Sequence, residues 1–275
     1  MNKDAFSVSG FYRWNRLQGD PEPVLESFAS AGTKYLVFDA ETTFAFPEKL
    51  SFVRNLYKKA ERYGLIFRDA HAPWGAGKDL NELTEDSFVR HENIMAILGE
   101  YQVKTYTCHI GASCIYTTKD WKGNEEHYRS LATKALERLL KCAEKHKVTL
   151  CVENCFEPAT AAPEAVALVN QFDSPYLGLC LDCGHANLIW KEIGPAFAPG
   201  VAEMMLPDIV TVHVHDNDGM RDKHALPDKD GTIDWNQMYQ VLKKAPRLLS
   251  LQSEVETADL RELQPVMQTL QNLWC

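Results

Sequence analysis

Short apolar runs of five to seven residues recur along the chain, and between them apolar positions return at every third or fourth residue. The short runs predict strands at 6–11, 35–39, 65–70, 103–109, 149–153, 177–182, 209–213 and 249–255. Most are continuously apolar rather than alternating, which suits parallel strands covered on both faces. The intervening segments predict helices at 21–31, 47–63, 84–101, 124–146, 160–172, 233–244 and 258–273, with a weaker one at 198–205. In the first of them Val24, Leu25, Phe28 and Ala29 share one helical face. Gly32, Gly64 and Gly99 stand near helix C-termini, where a left-handed residue ends the helix. Pro163 falls near the first turn of the fifth helix, where its missing N–H costs little.

Eight strands each followed by a helix predict a single (β/α)8 TIM barrel, and 275 residues is an ordinary length for one. The competing architecture is an open doubly wound sheet. No GxGxxG or GxxxxGK[ST] follows any strand, so a nucleotide-binding version of that sheet has no support. No Pro/Gly/Ser-rich linker divides the chain, and one domain over 1–275 is expected.

Composition narrows the function classes. With 29 Lys and Arg against 38 Asp and Glu, the net charge is −9, a poor basis for gripping phosphate backbones. The N-terminal residues lack a basic segment followed by an apolar one, and no apolar run approaches a membrane span. A cytoplasmic location without a membrane partner is the expectation. Eight cysteines (Cys108, Cys114, Cys142, Cys151, Cys155, Cys180, Cys183 and Cys275) lie largely in apolar runs and read as reduced and buried. Cys180 and Cys183 form a CxxC, but no second one accompanies it to complete a zinc site.

In such a barrel reactive side chains gather where strands end. Strand three runs into Asp69-Ala70-His71-Ala72-Pro73-Trp74, and strand four ends at Cys108-His109-Ile110-Gly111. Strand five ends at Val152-Glu153-Asn154, strand six at Asp182-Cys183-Gly184-His185, and strand eight at Glu254-Val255-Glu256. Strand seven ends at His213-Val214-His215-Asp216-Asn217, with Asp222-Lys223-His224 in the following loop. Of nine histidines, six fall in these segments. His91, His127 and His146 lie on predicted helices and read as structural, as do Phe52 and Tyr57. Singly, each strand-end acid has an ordinary explanation: Asp182 or Asn154 as a helix cap, Asp222 and His224 as a solvated loop pair. Six consecutive strand ends do not, because acids and imidazoles buried unpaired are costly. A divalent metal removes that cost by balancing the carboxylates and using the imidazole lone pairs. His215 and Asp216 read as supports for ligands rather than ligands, since His213 and His215 share a strand face at different depths.

These motifs, HAPW at 71–74, CHIG at 108–111, VEN at 152–154, LDCGHAN at 181–187, HVHDN at 213–217 and DKH at 222–224 with the strand around Glu254, resemble the xylose-isomerase-like barrel superfamily. It contains sugar isomerases and epimerases beside endonuclease-IV-type abasic-site endonucleases. The resemblance implies that Glu153, Asp182, His213 and Glu254 hold a single metal, as in the sugar epimerases, and that His185 touches sugar oxygens. It implies that His71, His109, Asp222 and His224 match the further ligands of the endonuclease branch's zinc cluster. The chain departs from that branch: Glu153-Asn154 leads into Cys155-Phe156-Glu157-Pro158 rather than Gly-Gln-Gly, and His185 into Ala186-Asn187-Leu188-Ile189 rather than Ala-Gly-Tyr-Asp. The loop after His224 reads Pro227-Asp228-Lys229-Asp230-Gly231 rather than Pro-Gly-x-Gly.

The expected activity is a metal-dependent isomerase or epimerase of a small sugar or sugar phosphate. The resemblance implies that in it Glu153 and Glu254 act as paired acid and base around a metal-stabilised enediolate, with one Mn or Zn. His185 and Arg221 are expected to hold substrate oxygens; Trp74, Trp14 and Phe44 are aromatic candidates for stacking, though packing explains each as well. The alternative is a zinc-dependent phosphodiester hydrolase with up to three Zn. Against the carboxylates Glu153, Asp182, Asp222 and Glu254, three divalent ions leave a positive site suited to phosphate, and one leaves a negative site suited to a neutral sugar. Lys119, Lys122, Arg221 and Lys223 are the basic rim candidates for nucleic acid, and Asp120, Glu125 and Glu126 offset them. A third reading is a metal-binding barrel without catalysis. A homodimer is the expected assembly on symmetry grounds.

Overall fold

The computed structural model describes residues 7–14, 17, 19–41, 50–111, 123–155, 158–188, 198–227, 229, 231–257 and 259–274. Eight parallel strands pair in chain order and close on themselves: β1 Ser7–Gly10, β2 Tyr35–Asp39, β3 Ile66–His71, β4 Thr105–His109, β5 Thr149–Glu153, β6 Leu177–Asp182, β7 Ile209–Val214 and β8 Ser250–Ser253. The closing pair is β1 with β8, Val8 opposite Leu251. Helices α1 Glu22–Ser30, α2 Leu50–Arg62, α3 Glu85–Glu100, α4 Glu125–His146, α5 Pro158–Val169, α6 Ala198–Met205, α7 Trp235–Leu242 and α8 Leu263–Trp274 alternate with the strands. The expected (β/α)8 barrel is therefore the fold, and the open sheet is not.

Local chemistry explains several boundaries. The Thr84 hydroxyl accepts from the Ser87 N–H and starts α3, and Asp234 does the same for α7 through the Gln237 N–H. The fifth helix begins at Pro158, so Pro163 lies inside α5 rather than near its first turn. Before α8, a short 3-10 turn at Leu260–Glu262 takes the place of the helical start expected near 258.

The strand interiors are less uniformly apolar than expected. Alternate residues such as Leu36 and Phe38, Leu150 and Val152, and Leu179 and Leu181 pack outward with Leu56, Leu98, Leu136 and Leu139 in the main core. The other set faces the lumen and is largely polar, with Cys151 and Cys180 forming a small apolar patch in it. Ser9, Thr105 and Ser250, from β1, β4 and β8, all donate hydroxyls to Asp69 of β3. Gln252 donates to Thr211 at 2.6 Å, so this polar layer spans the barrel. Hydroxyls had been masked in the sequence by their apolar neighbours.

Trp14, a candidate for stacking on sugar, belongs to the core instead. It is 2% exposed, its indole N–H donates to the Val37 carbonyl, and it packs edge-on to Phe67. Phe44 lies outside the described residues.

Candidate metal centre

Strand register sets the level of the site. Asp39 pairs with His71, His109 with Glu153, and Asp182 with His213, so these residues form one tier at the C-terminal rim. Glu254 joins them just beyond β8, where its N–H meets the Val214 carbonyl.

All eight side chains expected as ligands converge there. Glu153 is 1% exposed, and four imidazoles approach its oxygens: His185 at 3.2 Å, His71 and His109 at 3.3 Å, and His213 at 3.4 Å. His213 Nδ1 also faces Glu254 at 3.3 Å and Asp182 at 3.6 Å. Asp222 lies 3.0 Å from His224 Nε2 and 3.5 Å from His185 Nε2. Among the described residues neither oxygen of Glu153 nor either ring nitrogen of His213 makes a hydrogen bond of good geometry. Buried polar atoms left so are rare and need an explanation.

The ring protons supply one. His71 Nδ1 lies 2.6 Å from the Ala72 carbonyl, His185 Nδ1 3.1 Å from the Asn154 carbonyl, and His224 Nδ1 2.8 Å from the Glu254 carbonyl. A carbonyl only accepts, so each Nδ1 carries a proton; in a neutral ring Nε2, which faces Glu153 in His71 and Asp222 in His185 and His224, is then a bare lone pair. Lone pair facing lone pair is repulsive unless a cation lies between, and an imidazole oriented by a backbone carbonyl is the usual dress of a metal ligand. Four groupings have ligand atoms close enough to share an ion: His71 with Glu153 and His213; Glu153 with Asp182 and His185; Asp182 with His215 and Glu254; and His215 with Asp222 and His224.

Electrostatics agree. Burial resists charging these imidazoles, but the carboxylates outweigh it, raising His109, holding His185 and His213 well above the ordinary value, and pushing His224 up to about 9. Burial likewise opposes ionisation of the acids. The imidazoles reverse it, holding Glu153 and Asp182 well below the carboxylate range and lowering Asp222. Without an ion, protons on the histidines take the cation's place.

Supporting residues lock this arrangement. The Asn154 side chain pairs with both the N–H and the C=O of Asp182, at 2.8 and 3.0 Å, rather than capping a helix. Asp182 does cap the single turn Cys183–Ala186, accepting the His185 N–H at 2.6 Å, while its carboxylate also meets His215 Nε2 at 3.0 Å. A Cβ at Gly184 would overlap the His215 ring, so only glycine fits there. His224 adopts φ of +47°, a left-handed conformation rare outside glycine and typical of strained functional turns. That turn lets its two nitrogens reach Glu254 and Asp222 together. Asp216 plays the supporting part expected of it, accepting the Trp235 indole N–H and the Thr232 N–H to secure the loop. The second nitrogen of His215 lies 3.8 Å from Asp222, close enough for the two to belong to one of the groupings above.

Above these side chains lies a cavity of about 240 Å³, lined among others by Arg13, Asp39, Trp74, His109, Glu254 and Glu256. Trp74 is half exposed and stacks over His109 at 6.1 Å. Arg221 does not line this cavity; it is exposed, with its backbone N–H tied to Asp218. Lys223 is ion-paired to Asp218, and Lys119, Lys122 and Asp120 lie outside the described residues. The cavity's guanidinium comes instead from Arg13, which reading strand ends from β3 onward overlooked together with Asp39. Asp39 ends β2 level with His71, at the same rim. His91 is structural as expected, buried beside the Tyr106 hydroxyl. Cys180 and Cys183 are free and buried, and burial raises both thiols, Cys180 to about 12, which argues against redox use of this CxxC.

Comparison with known proteins places these observations. The uncharacterized protein y4fM of Sinorhizobium fredii is 33% identical over 75 residues, 27% of this chain and 22% of that protein. The uncharacterized protein MJ1311 of Methanocaldococcus jannaschii is 25% identical over 213 residues, 74% of this chain and 68% of that protein. Among solved structures, a D-tagatose 3-epimerase-like protein superposes with TM-score 0.70 at 19% identity, covering 90% of this chain and 91% of its own. The 3-keto-D-glucoside 4-epimerase YcjR of E. coli gives 0.71 at 14% identity, covering 98% of each chain. The IOLI protein with a bound zinc atom gives 0.72 at 15%, covering 97% of this chain and 96% of its own. At these identities the likeness is one of fold. The family model for xylose isomerase-like TIM barrels matches residues 25–271, and with that match the chain belongs to the xylose isomerase-like TIM barrel family.

Proposed function

We propose that this chain is a metal-dependent isomerase or epimerase of a small sugar or sugar phosphate. The observation that carries the reading is the pair Glu153 and Glu254. They come from strands three apart around the barrel, face the same imidazoles of His71 and His213, and stand beneath an open polar cavity. Glu153, Asp182, His213 and Glu254 would hold the ion, zinc or manganese, and their oxygen and nitrogen donors suit either. When bound, the ion supplies electrostatic stabilisation of negative charge on neighbouring substrate oxygens. Glu153 and Glu254 then take a proton from the carbon beside a carbonyl on one side and return one on the other. His185, fixed by Asn154, presents Nε2 to a substrate oxygen, and Trp74 covers the mouth. Likeness in fold to the epimerases supports sugar chemistry, and the zinc-bearing neighbour supports a divalent ion.

A second reading, zinc-dependent phosphodiester hydrolysis, draws on the additional ligands His71, His109, Asp222 and His224 beside the first four. Elemental analysis of protein purified without chelator separates the two. About one divalent ion per chain, with deuterium uptake from solvent into a ketose, is the expected result. Two or three zinc ions with cleavage of an abasic-site oligonucleotide would transfer the assignment to the hydrolase. Absence of any metal after reconstitution would remove both.

A further inference from the structure

A second cavity adjoins the one above the candidate metal centre. It is about 530 Å³ against about 240 Å³, and the two share Phe11, Arg13 and Glu256. Tyr12, Lys223, Val255 and Thr257 complete the lining of the outer one, and the proton transfers above use none of them. These residues follow β1, β7 and β8, which are neighbours in the barrel, so the outer cavity lies along one side of the C-terminal rim. The shared wall is tied together. The Arg13 guanidinium lies 5.7 Å over the Phe11 ring and meets Glu256 at 3.3 Å, and the Glu256 N–H donates to the His224 carbonyl at 3.0 Å. The outer cavity is therefore one backbone hydrogen bond away from a candidate metal ligand.

Size and lining say what the outer cavity takes. Small-molecule sites run about 300–1,000 Å³. The inner cavity falls short of that range and the outer one lies within it, so most of the room for a ligand is beside the metal centre rather than over it. Phe11, Tyr12 and Val255 give the outer space apolar surface, and Thr257 gives it a hydroxyl. Its cations are matched, Arg13 by Glu256 and Lys223 by Asp218 at 2.7 Å. The side chains of Arg13, Lys223 and Glu256 are 25%, 45% and 52% exposed, so a ligand can reach them. An ionic group would have to displace one of these partners, and a wholly apolar group would bury their polar ends unsatisfied. A sugar ring offers C–H faces to the aromatic side chains and hydroxyls, each both donor and acceptor, to charges of either sign. We propose that the outer cavity is a subsite for an uncharged glycosyl unit joined to the sugar held in the inner cavity, which makes the substrate class a glycoside of disaccharide size. This rests on the sugar isomerase reading and deepens it.

The test is calorimetric binding to protein purified without chelator, using sorbitol and three glucosyl hexitols of different linkage: maltitol, isomaltitol and cellobiitol. None has a carbonyl, so binding is read apart from turnover. At least one glucosyl hexitol binds about tenfold or more tighter than sorbitol, the gain expected from burying roughly 60 Å² of apolar sugar surface. Thr257→Trp crowds the outer cavity with an indole and removes that gain, while sorbitol affinity stays. Tyr12→Ala strips part of the outer wall and reduces the gain. Tyr12 also packs edge-on to Trp14 at 5.1 Å, so melting temperature and metal content establish that this variant is folded, and Thr257→Trp decides the matter if it is not. No glucosyl hexitol binding tighter than sorbitol, or a gain that persists in Thr257→Trp, overturns the subsite. A gain from the glucosyl unit without deuterium exchange into any ketose or keto-glycoside overturns the isomerase reading and leaves the subsite standing. Exchange into a free ketose with no gain from a glucosyl unit does the reverse.

Discussion

Two buried carboxylates occupy the same lumen at different heights, and their surroundings are opposite. Asp69, low in the barrel, takes hydroxyl protons from Ser9 at 2.5 Å, Thr105 at 2.7 Å and Ser250 at 2.9 Å. Glu153, at the rim, is as deeply buried but faces only imidazole nitrogens, without a good hydrogen bond among the described residues. A hydroxyl can turn its proton toward a carboxylate at no cost in charge. A neutral imidazole has one ring proton, and that of His71 is already given to a carbonyl. Asp69 is satisfied by its own neighbours, while the upper tier is complete only with protons or a cation added. Burial alone therefore does not mark a functional acid; the chemistry of its neighbours does.

The sharpest way to break this comparison acts on the rim. Glu254→Gln should cut solvent deuterium uptake by about 10²- to 10⁴-fold, the usual worth of a positioned proton carrier, with circular dichroism unchanged. Full exchange in that variant would remove Glu254 from the acid–base pair. Next comes metal withdrawal. Because an ion held only by the folded rim stabilises by mass action, stripping it should cost about 4 kcal/mol when the ion stands at a thousandfold its Kd, read as a fall in melting temperature. The loss should be reversed by adding zinc or manganese, and a melting curve indifferent to chelator would count against the rim as a binding site.

A third prediction concerns a histidine away from the rim. Burial holds His91 at about 4, below the ordinary 6.5, because its ring lies in the core beside Tyr106. As pH falls the unfolded chain takes up that proton first. The contribution is thus intact above pH 6.5 and is lost on the way down to about 4, amounting to about 3 kcal/mol. Urea midpoints between pH 7 and 4.5 should drop less steeply in His91→Gln than in wild type; parallel slopes would contradict this. The smallest effect belongs to the lower tier. Asp69→Asn should destabilise by about 1–3 kcal/mol through its stranded hydroxyls, yet leave metal content per chain unchanged. Metal loss in Asp69→Asn would show that the two tiers are one network.

Much of this was legible in the residues. Tyr35–Asp39, Thr149–Glu153 and Leu177–Asp182 appear as strands at the bounds their apolar runs predicted. The candidate ligands were legible because a parallel barrel sends the end of every strand to one rim, so His109, Glu153 and Asp182 declare themselves by position in the chain. Other features left weaker traces. Trp14 looks the same in sequence whether it faces a sugar or Phe67, and Arg221 beside a reactive loop looks like a substrate clamp until the loop is seen to turn it outward. Arg13 follows a short strand and carries no motif.

Local pattern and strand order determined the fold and the set of acids and histidines brought to the rim, since periodicity and chain order are properties of the sequence itself. Which of those groups are satisfied was decided only in three dimensions. Hydroxyls from β1, β4 and β8 complete Asp69 on β3, and the Asn154 and Glu254 carbonyls commit the ring protons of His185 and His224. These are contacts between residues far apart in the chain, and no local signal encodes them.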